Sequence, residues 1–194
     1  MVQASLSLVI PVYNERNLIE PAVMKCLSQL RTQFSDFEII IVDDGSSDGS
    51  SGILCALAAE HPEVRVMKND VNLNIGISIQ RGLCAATKEF VVYSAIDMPL
   101  PMDEIPRLIQ KMKDCDLLVL ERDGFAGYTP WRWVCSQINR LLLKVLFGAK
   151  FTDLNYSQVY RRSVIKEIMP LAKSPAFTSP EMILRAQAMG LRVQ

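Results

Sequence analysis

Residues 39–48, IIIVDDGSSD, most narrow what this chain can fold into: four apolar, mostly β-branched residues run straight into two adjacent carboxylates, a glycine and small polar residues. An apolar run without alternation, as over 37–42, suits a strand covered on both faces, the situation in a parallel sheet flanked by helices. Asp43 and Asp44 then stand at its carboxyl end, and open α/β sheets bind ligands outside the carboxyl ends of their strands. Part of the run has a local explanation, since Ser46, Ser47 or Asp48 suits a helix cap. Capping does not account for two acids side by side.

A second apolar run, LSLVIPV at Leu6–Val12, leads into Tyr13-Asn14-Glu15 and then a helical pattern with Ile19, Ala22, Cys26, Leu27 and Leu30 on one face. Asn17 and Glu20 have the spacing of a capping box, and Pro21 falls early enough for a first turn, whose amides lack intrahelical partners. The alternation continues, with strands expected over 64–68, 90–95 and 116–120 and helices over 76–87 and 102–113. Helices over 161–169 and 179–189 follow, and 191–194 has the pattern of a strand cut short. Such a βαβ succession implies right-handed crossovers and a mainly parallel sheet in a Rossmann-like three-layer α/β/α arrangement.

At 194 residues, 49% of them hydrophobic, the chain can bury a full core as one domain over 1–194. Its five cysteines lie in apolar segments without paired metal spacing and read as reduced core residues of a cytosolic chain. A net charge of zero argues against a nucleic-acid binder that works by broad electrostatics. No basic stretch opens a signal peptide, and no apolar run approaches the ~20 residues of a membrane span. His61, the lone histidine, precedes Pro62 and reads as an exposed helix-end residue.

VIPVYNE at 9–15 and VDDGSSDGS at 42–50, with weaker matches in order to Val193, resemble the family 2 glycosyltransferases, which share the GT-A fold. The branch that acts on polyprenyl or dolichyl phosphates is the most similar. The resemblance implies a donor nucleotide pocket of Pro11, Tyr13, Glu15, Asp43 and Asp44, with Tyr13 beside the base and the three acids on base and ribose. It also matches Asn74, Gly76, Gly82 and Ala86 to small-residue positions of a family helix, which suit close helix packing.

The expected fourth strand ends in YSAIDMPLP, and here the chain departs from its relatives. The family's Asp-x-Asp is Ala95-Ile96-Asp97, so one of the two carboxylates is replaced by a methyl group. Breaking a glycosidic bond to a diphosphate builds negative charge that a hard cation or basic side chains must offset. Mg²⁺ commonly uses one or two carboxylates plus substrate phosphates and waters, so Asp97 alone suffices for Mg²⁺ or Mn²⁺, with weakened affinity. The alternatives are that Asp97 binds a ribose or sugar hydroxyl while arginines meet the charge, or that it caps the turn before Pro99.

The resemblance further places Arg122 and Arg132 against phosphates of the donor or the lipid acceptor, a task suited to the planar, always charged guanidinium. Residues 128–150 are amphipathic: Arg132, Ser136, Arg140 and Lys144 recur every four positions, Val134, Ile138, Leu141, Leu142 and Val145 form an apolar stripe, and no acid occurs. The stripe either packs on the sheet or, with the two tryptophans, meets a membrane interface. Asp153 matches the family acid proposed as catalytic base, and a basic residue usually found near it is replaced by Gln158. A turn-capping role for Asp153 is the other reading.

Together these imply an inverting hexosyltransferase with a UDP- or GDP-linked sugar as donor and a polyprenyl phosphate as acceptor, at the cytoplasmic face of a membrane in cell-envelope polysaccharide synthesis. Asp97 and Asp153 are its candidate catalytic residues, and the catalytic domain is read as cut short at its carboxyl end. The alternative is a nucleotide-sugar-binding or scaffolding protein that lost catalysis with the acid missing at Ala95.

Overall fold

The computed structural model describes residues 3–97, 100–121, 129–148, 151, 154 and 156–194, with side chains left out at Pro130, Arg132, Trp133, Asn139 and Arg140. Strand β1 (Leu6–Val12) is buried at every position, and β2 (Phe37–Asp43) at every position after its first. With β3 (Val64–Lys68), β4 (Phe90–Tyr93), β5 (Leu117–Val119) and β6 (Gln158–Arg161) they form a six-stranded sheet of order β3-β2-β1-β4-β6-β5. Strands β1 to β4 run parallel, and β6 lies antiparallel between β4 and β5. The last residues add to the far edge, where Val193 bridges Leu117 in parallel.

Both faces are covered, which is why the strands read as continuous apolar runs. Leu6, Leu8, Ile10, Ile39 and Ile41 face a core closed by α1 (Arg16–Gln33), α2 (Ser50–Glu60) and α4 (Ile105–Lys111), the last entered through a 3-10 turn at Met102–Glu104. Val9, Ile40, Val42 and Val91 face the other core, under α3 (Ile75–Ala85), α6 (Arg162–Ile168) and α7 (Thr178–Ala188). Helix α3 lies so close to the sheet that a Cβ at Gly82 would overlap Val9 Cγ1, and one at Gly76 would meet Thr178 Oγ1 of α7 at 2.5 Å. Close packing is thus what these two small residues do.

Two local expectations are corrected. Helix α1 begins at Arg16, so Asn17 and Glu20 lie inside it, no side chain of the preceding Glu15 caps it, and Pro21 falls in its second turn. The cysteines divide: Cys26 and Cys115 are buried, whereas Cys55, Cys84 and Cys135 are exposed.

For α5 (Pro130–Phe147), where the sequence leaves two placements open, the apolar stripe does not pack on the sheet. Val134, Ile138, Leu141, Leu142 and Val145 are all exposed, Val145 to 70%, and of the helix's described side chains only Leu143 is buried. The helix is tethered at its end, where the Phe147 and Phe177 rings lie 5.9 Å apart. Among the described residues no helix is long and apolar enough to cross a membrane.

Candidate active site

The chain winds from β1 outward through β2 to β3 and then returns to the other side of β1 as β4. Such a reversal leaves a crevice at the carboxyl ends of the two diverging strands. Here the divergence has a chemical cause. Val9 accepts the backbone N–H of Ser94 at 3.0 Å, and the next residue of β1 facing that side is Pro11, which has no N–H to continue the ladder.

The crevice holds two adjoining cavities that share Pro11, Ile75, Ala95 and Asp97. The larger, of about 480 Å³, is closed by Tyr13, Glu15, Leu18, Asp44 and Asn72. The smaller, of about 310 Å³, is closed by Tyr93, Ser157, Ala176 and Ser179. The Tyr93 hydroxyl donates to the Tyr156 carbonyl at 2.5 Å and lies 2.8 Å from Ser179 Oγ, so α7 is tied to the end of β4.

Asp43 and Asp44 part company, as successive residues of a strand point to opposite faces. Asp43 is taken up by its own loop, accepting Ser46 N–H at 2.9 Å and the Ser51 hydroxyl. It lines neither of these two cavities, and its carboxylate shapes the loop that carries Asp44. Asp44 lines the larger cavity, and its Oδ1 accepts Asn69 Nδ2 at 2.6 Å and Leu73 N–H at 2.9 Å.

The turn between the two acids and α2 requires Gly45. Its φ is +76°, and a Cβ there would stand 2.6 Å from the carbonyl carbon of Val71. The loop after β1 is stitched to the same turn: Asn14, at φ 54°, accepts Ser47 N–H at 2.9 Å and donates its own N–H to Ser46 Oγ at 3.0 Å.

Ala95 and Asp97 stand where the cavities meet. Asp97 is exposed, and no described residue holds its carboxylate by a hydrogen bond. Among the described residues no group of three or more His, Cys, Asp or Glu side chains forms a closed metal cage. Arg122 and Asp153 lie outside the described residues, and for Arg132 only the backbone, in the first turn of α5, is described. Gln158 is fully buried, donating to the carbonyls of Leu154 and Tyr156 and accepting the Tyr160 hydroxyl. It supports the strand and does not face the cavities.

Sequence reasoning missed Asn69, Ser157 and Ser179. Each is a lone polar residue beside apolar neighbours, and only the fold carries it to the crevice.

A parallel sheet with one reversed strand and a two-lobed crevice at its switch point defines a GT-A domain. Two solved structures share it: the mannosyltransferase of Pyrobaculum calidifontis in complex with GDP-Man and Mn²⁺ (TM-score 0.68, 17% identity, 97% of this chain and 53% of that one), and glucosyl-3-phosphoglycerate synthase of Mycobacterium tuberculosis with Mn²⁺, UDP and glucosyl-3-phosphoglycerate (TM-score 0.71, 20% identity, 98% and 68%). The family model described as "Glycosyl transferase family 2" matches residues 7–169, and the chain belongs to that family.

Among curated proteins it is 36% identical over 167 residues to the undecaprenyl-phosphate 4-deoxy-4-formamido-L-arabinose transferase of Sodalis glossinidius (84% of this chain, 51% of that protein). It is 36% identical over 168 residues to the transferase of the same name from Enterobacter sp. strain 638 (84% and 51%). The chain thus spans about half the length of the curated relatives it matches.

Proposed function

We propose that the chain is the catalytic domain of an inverting glycosyltransferase that moves a sugar from a nucleoside diphosphate donor to a polyprenyl phosphate. The observation that carries this reading is the convergence of Tyr13, Glu15, Asp44 and Asp97 on one crevice at the switch point of a family 2 domain. The curated relatives, named for an undecaprenyl-phosphate acceptor, support the acceptor class.

The larger cavity takes the nucleoside, with Tyr13 flanking the base and Glu15 and Asp44 accepting from base or ribose. The smaller, with the hydroxyls of Ser157 and Ser179, takes the sugar. An oxygen of the acceptor phosphate attacks the anomeric carbon, the bond to the diphosphate oxygen breaks, and its electron pair leaves on the nucleoside diphosphate. The acceptor phosphate is already ionised, so little base catalysis is required; Asp153 remains the proposed base. Arg122 and Arg132 are proposed to bind phosphate.

Asp97 fits a cation shared with the substrate's own phosphates, because it is exposed at the junction of the cavities and free of hydrogen-bond partners among the described residues. Bound Mg²⁺ or Mn²⁺ supplies charge stabilisation at the leaving diphosphate. The mannosyltransferase and synthase structures named above, both with Mn²⁺, support this cofactor.

The acceptor class supports a position at the cytoplasmic face of a membrane, with α5 as the proposed contact. That helix exposes its apolar stripe, has Lys144 in its last turn, and carries Arg132 and Arg140 but no acid in its sequence. These features match an anionic bilayer surface.

Calorimetric titration with UDP and GDP, each with Mn²⁺ or with a chelator, tests the donor site. Metal-dependent binding lost in Asp97→Ala is expected. Absence of binding to either nucleotide sinks the proposal, and donor binding without release of nucleoside diphosphate in the presence of a polyprenyl phosphate would favour a protein silenced by Ala95.

A further inference from the structure

Asp44 does not stand alone at the end of β2. Its Oδ1 is occupied by Asn69 Nδ2 and by Leu73 N–H, and no bond from a described residue takes Oδ2, which is left for a ligand in the cavity that Asp44 lines. Asn69, the residue after β3, is 1% exposed, and its backbone N–H is fixed on the Asp43 carbonyl at 2.8 Å. Its amide is held at every point: Nδ2 also donates to Ser78 Oγ at 3.0 Å, and Oδ1 accepts Arg81 Nη1.

The Arg81 contact settles which way the amide faces. A guanidinium only donates and a carboxylate only accepts, so an amide wedged between them must turn its oxygen to Arg81 and its nitrogen to Asp44. A flip would set NH₂ against the guanidinium and oxygen against the carboxylate, and both contacts would be repulsive.

We propose that Asn69, locked by Arg81, is the positioning residue that aims Asp44 at the donor's base, so that the site selects a base whose ring nitrogen carries a hydrogen, as uracil N3 and guanine N1 do. The inference rests on the larger cavity being the nucleoside site. With Oδ1 saturated by two donors, Oδ2 is an acceptor in a fixed place, and a ring N–H pointed at it is rewarded. A base with that hydrogen replaced would leave a desolvated carboxylate oxygen unpaired.

Methylated nucleotides test this directly. In the unaltered chain, UDP is expected to bind more tightly than 3-methyl-UDP by at least about tenfold, the effect of one hydrogen bond to a charged acceptor; if GDP is the nucleotide bound, 1-methyl-GDP takes the analogue's place. In Asn69→Leu the preference should fall toward unity, chiefly through weaker binding of the unmethylated nucleotide. Arg81→Met, at a half-buried helix position, should reduce the same ratio should Asn69→Leu fold poorly, and Arg81→Lys, which still donates, should restore it.

A purely structural role for Asn69 would weaken both nucleotides alike and leave the ratio unchanged, and that result overturns the inference. An unaltered chain that binds both nucleotides equally overturns it as well, while leaving the donor site in place. Binding of neither removes the nucleoside site and the inference with it.

Discussion

The carboxylate of Asp48 accepts the backbone N–H of Arg16 at 3.0 Å, across 32 residues of chain. Its other oxygen accepts Ser50 N–H at 3.0 Å and the Ser50 hydroxyl at 2.6 Å. One acid thereby caps the first amide of α1 and the first amide of α2, and both helix dipoles favour its charge. The Ser50 hydroxyl, above all, holds the Asp48 carboxyl below its ordinary range. The loop bearing Tyr13 and Glu15 is registered in this way against the loop bearing Asp44.

Replacing Asp48 should therefore disturb binding as well as folding. Asp48→Ala is expected to lower the thermal midpoint and to weaken nucleotide affinity roughly tenfold, since small misplacements of positioning groups are costly. Calorimetry alongside a thermal melt checks this, and unchanged affinity in a destabilised variant would confine Asp48 to a structural role.

A buried acid, Glu38, governs acid stability at the opposite end of the sheet. Glu38 accepts from Ser7 Oγ, Thr87 N–H and Thr87 Oγ1, each at 2.7 Å, and pairs with Arg65 at 2.6 Å. Burial pushes its carboxyl up, but the hydrogen bonds from Ser7, Thr87 and Arg65 outweigh that and leave it below the ordinary range. A depressed carboxyl contributes stability above the unfolded-state value, and that contribution is lost as pH falls through the folded value. Glu38→Gln should destabilise by about 1–3 kcal/mol at neutral pH, with the difference shrinking below about pH 4. Denaturant unfolding across pH tests it, and a constant difference would refute the linkage.

Restoring the missing acid makes a third test. Ala95 lines both cavities beside Asp97, and cation affinity rises with the number of charged ligands. In Ala95→Asp, Mn²⁺ titrated in the presence of nucleotide should bind about tenfold more tightly. No gain would mean that position 95 does not reach the cation.

The exposed stripe of α5 supplies a fourth. Leu142 and Val145 are 50% and 70% exposed, so the pair Leu142→Glu and Val145→Glu should leave the thermal midpoint unchanged. Partitioning onto vesicles containing anionic lipid should fall at least tenfold, the order expected for losing two buried aliphatic side chains. Equal partitioning would remove the membrane contact.

Much of this fold could be read before its coordinates, because the sheet is covered on both sides and its strands carry unbroken apolar runs. The 37–42 run and the Leu6–Val12 run needed nothing beyond burial to be recognised. What local reasoning could not reach was distance. Asn17 and Glu20 had the spacing of a cap, yet the cap comes from Asp48 in another loop. Asp43 and Asp44 looked equivalent, and strand alternation separated them. Asn69 drew no notice because its partners, Asp44 and Arg81, lie 25 residues before it and 12 after it. The α5 pattern was visible, but amphipathicity does not say which face meets protein.

Strand β6 runs against β4, so its beginning, not its end, arrives at the crevice. Ser157, just before β6, and Ser179 at the start of α7 therefore reach the smaller cavity from the last third of the chain, whereas the described residues that line the larger cavity all lie at or before Asp97. The two cavities share a floor of Pro11, Ile75, Ala95 and Asp97, but among the described residues only the smaller draws on the later part of the polypeptide. On the proposed reading, a crossover between relatives placed after Asp97 would keep one parent's nucleotide preference while exchanging the Ser157 and Ser179 hydroxyls offered to the sugar, a modularity that strand direction alone makes available.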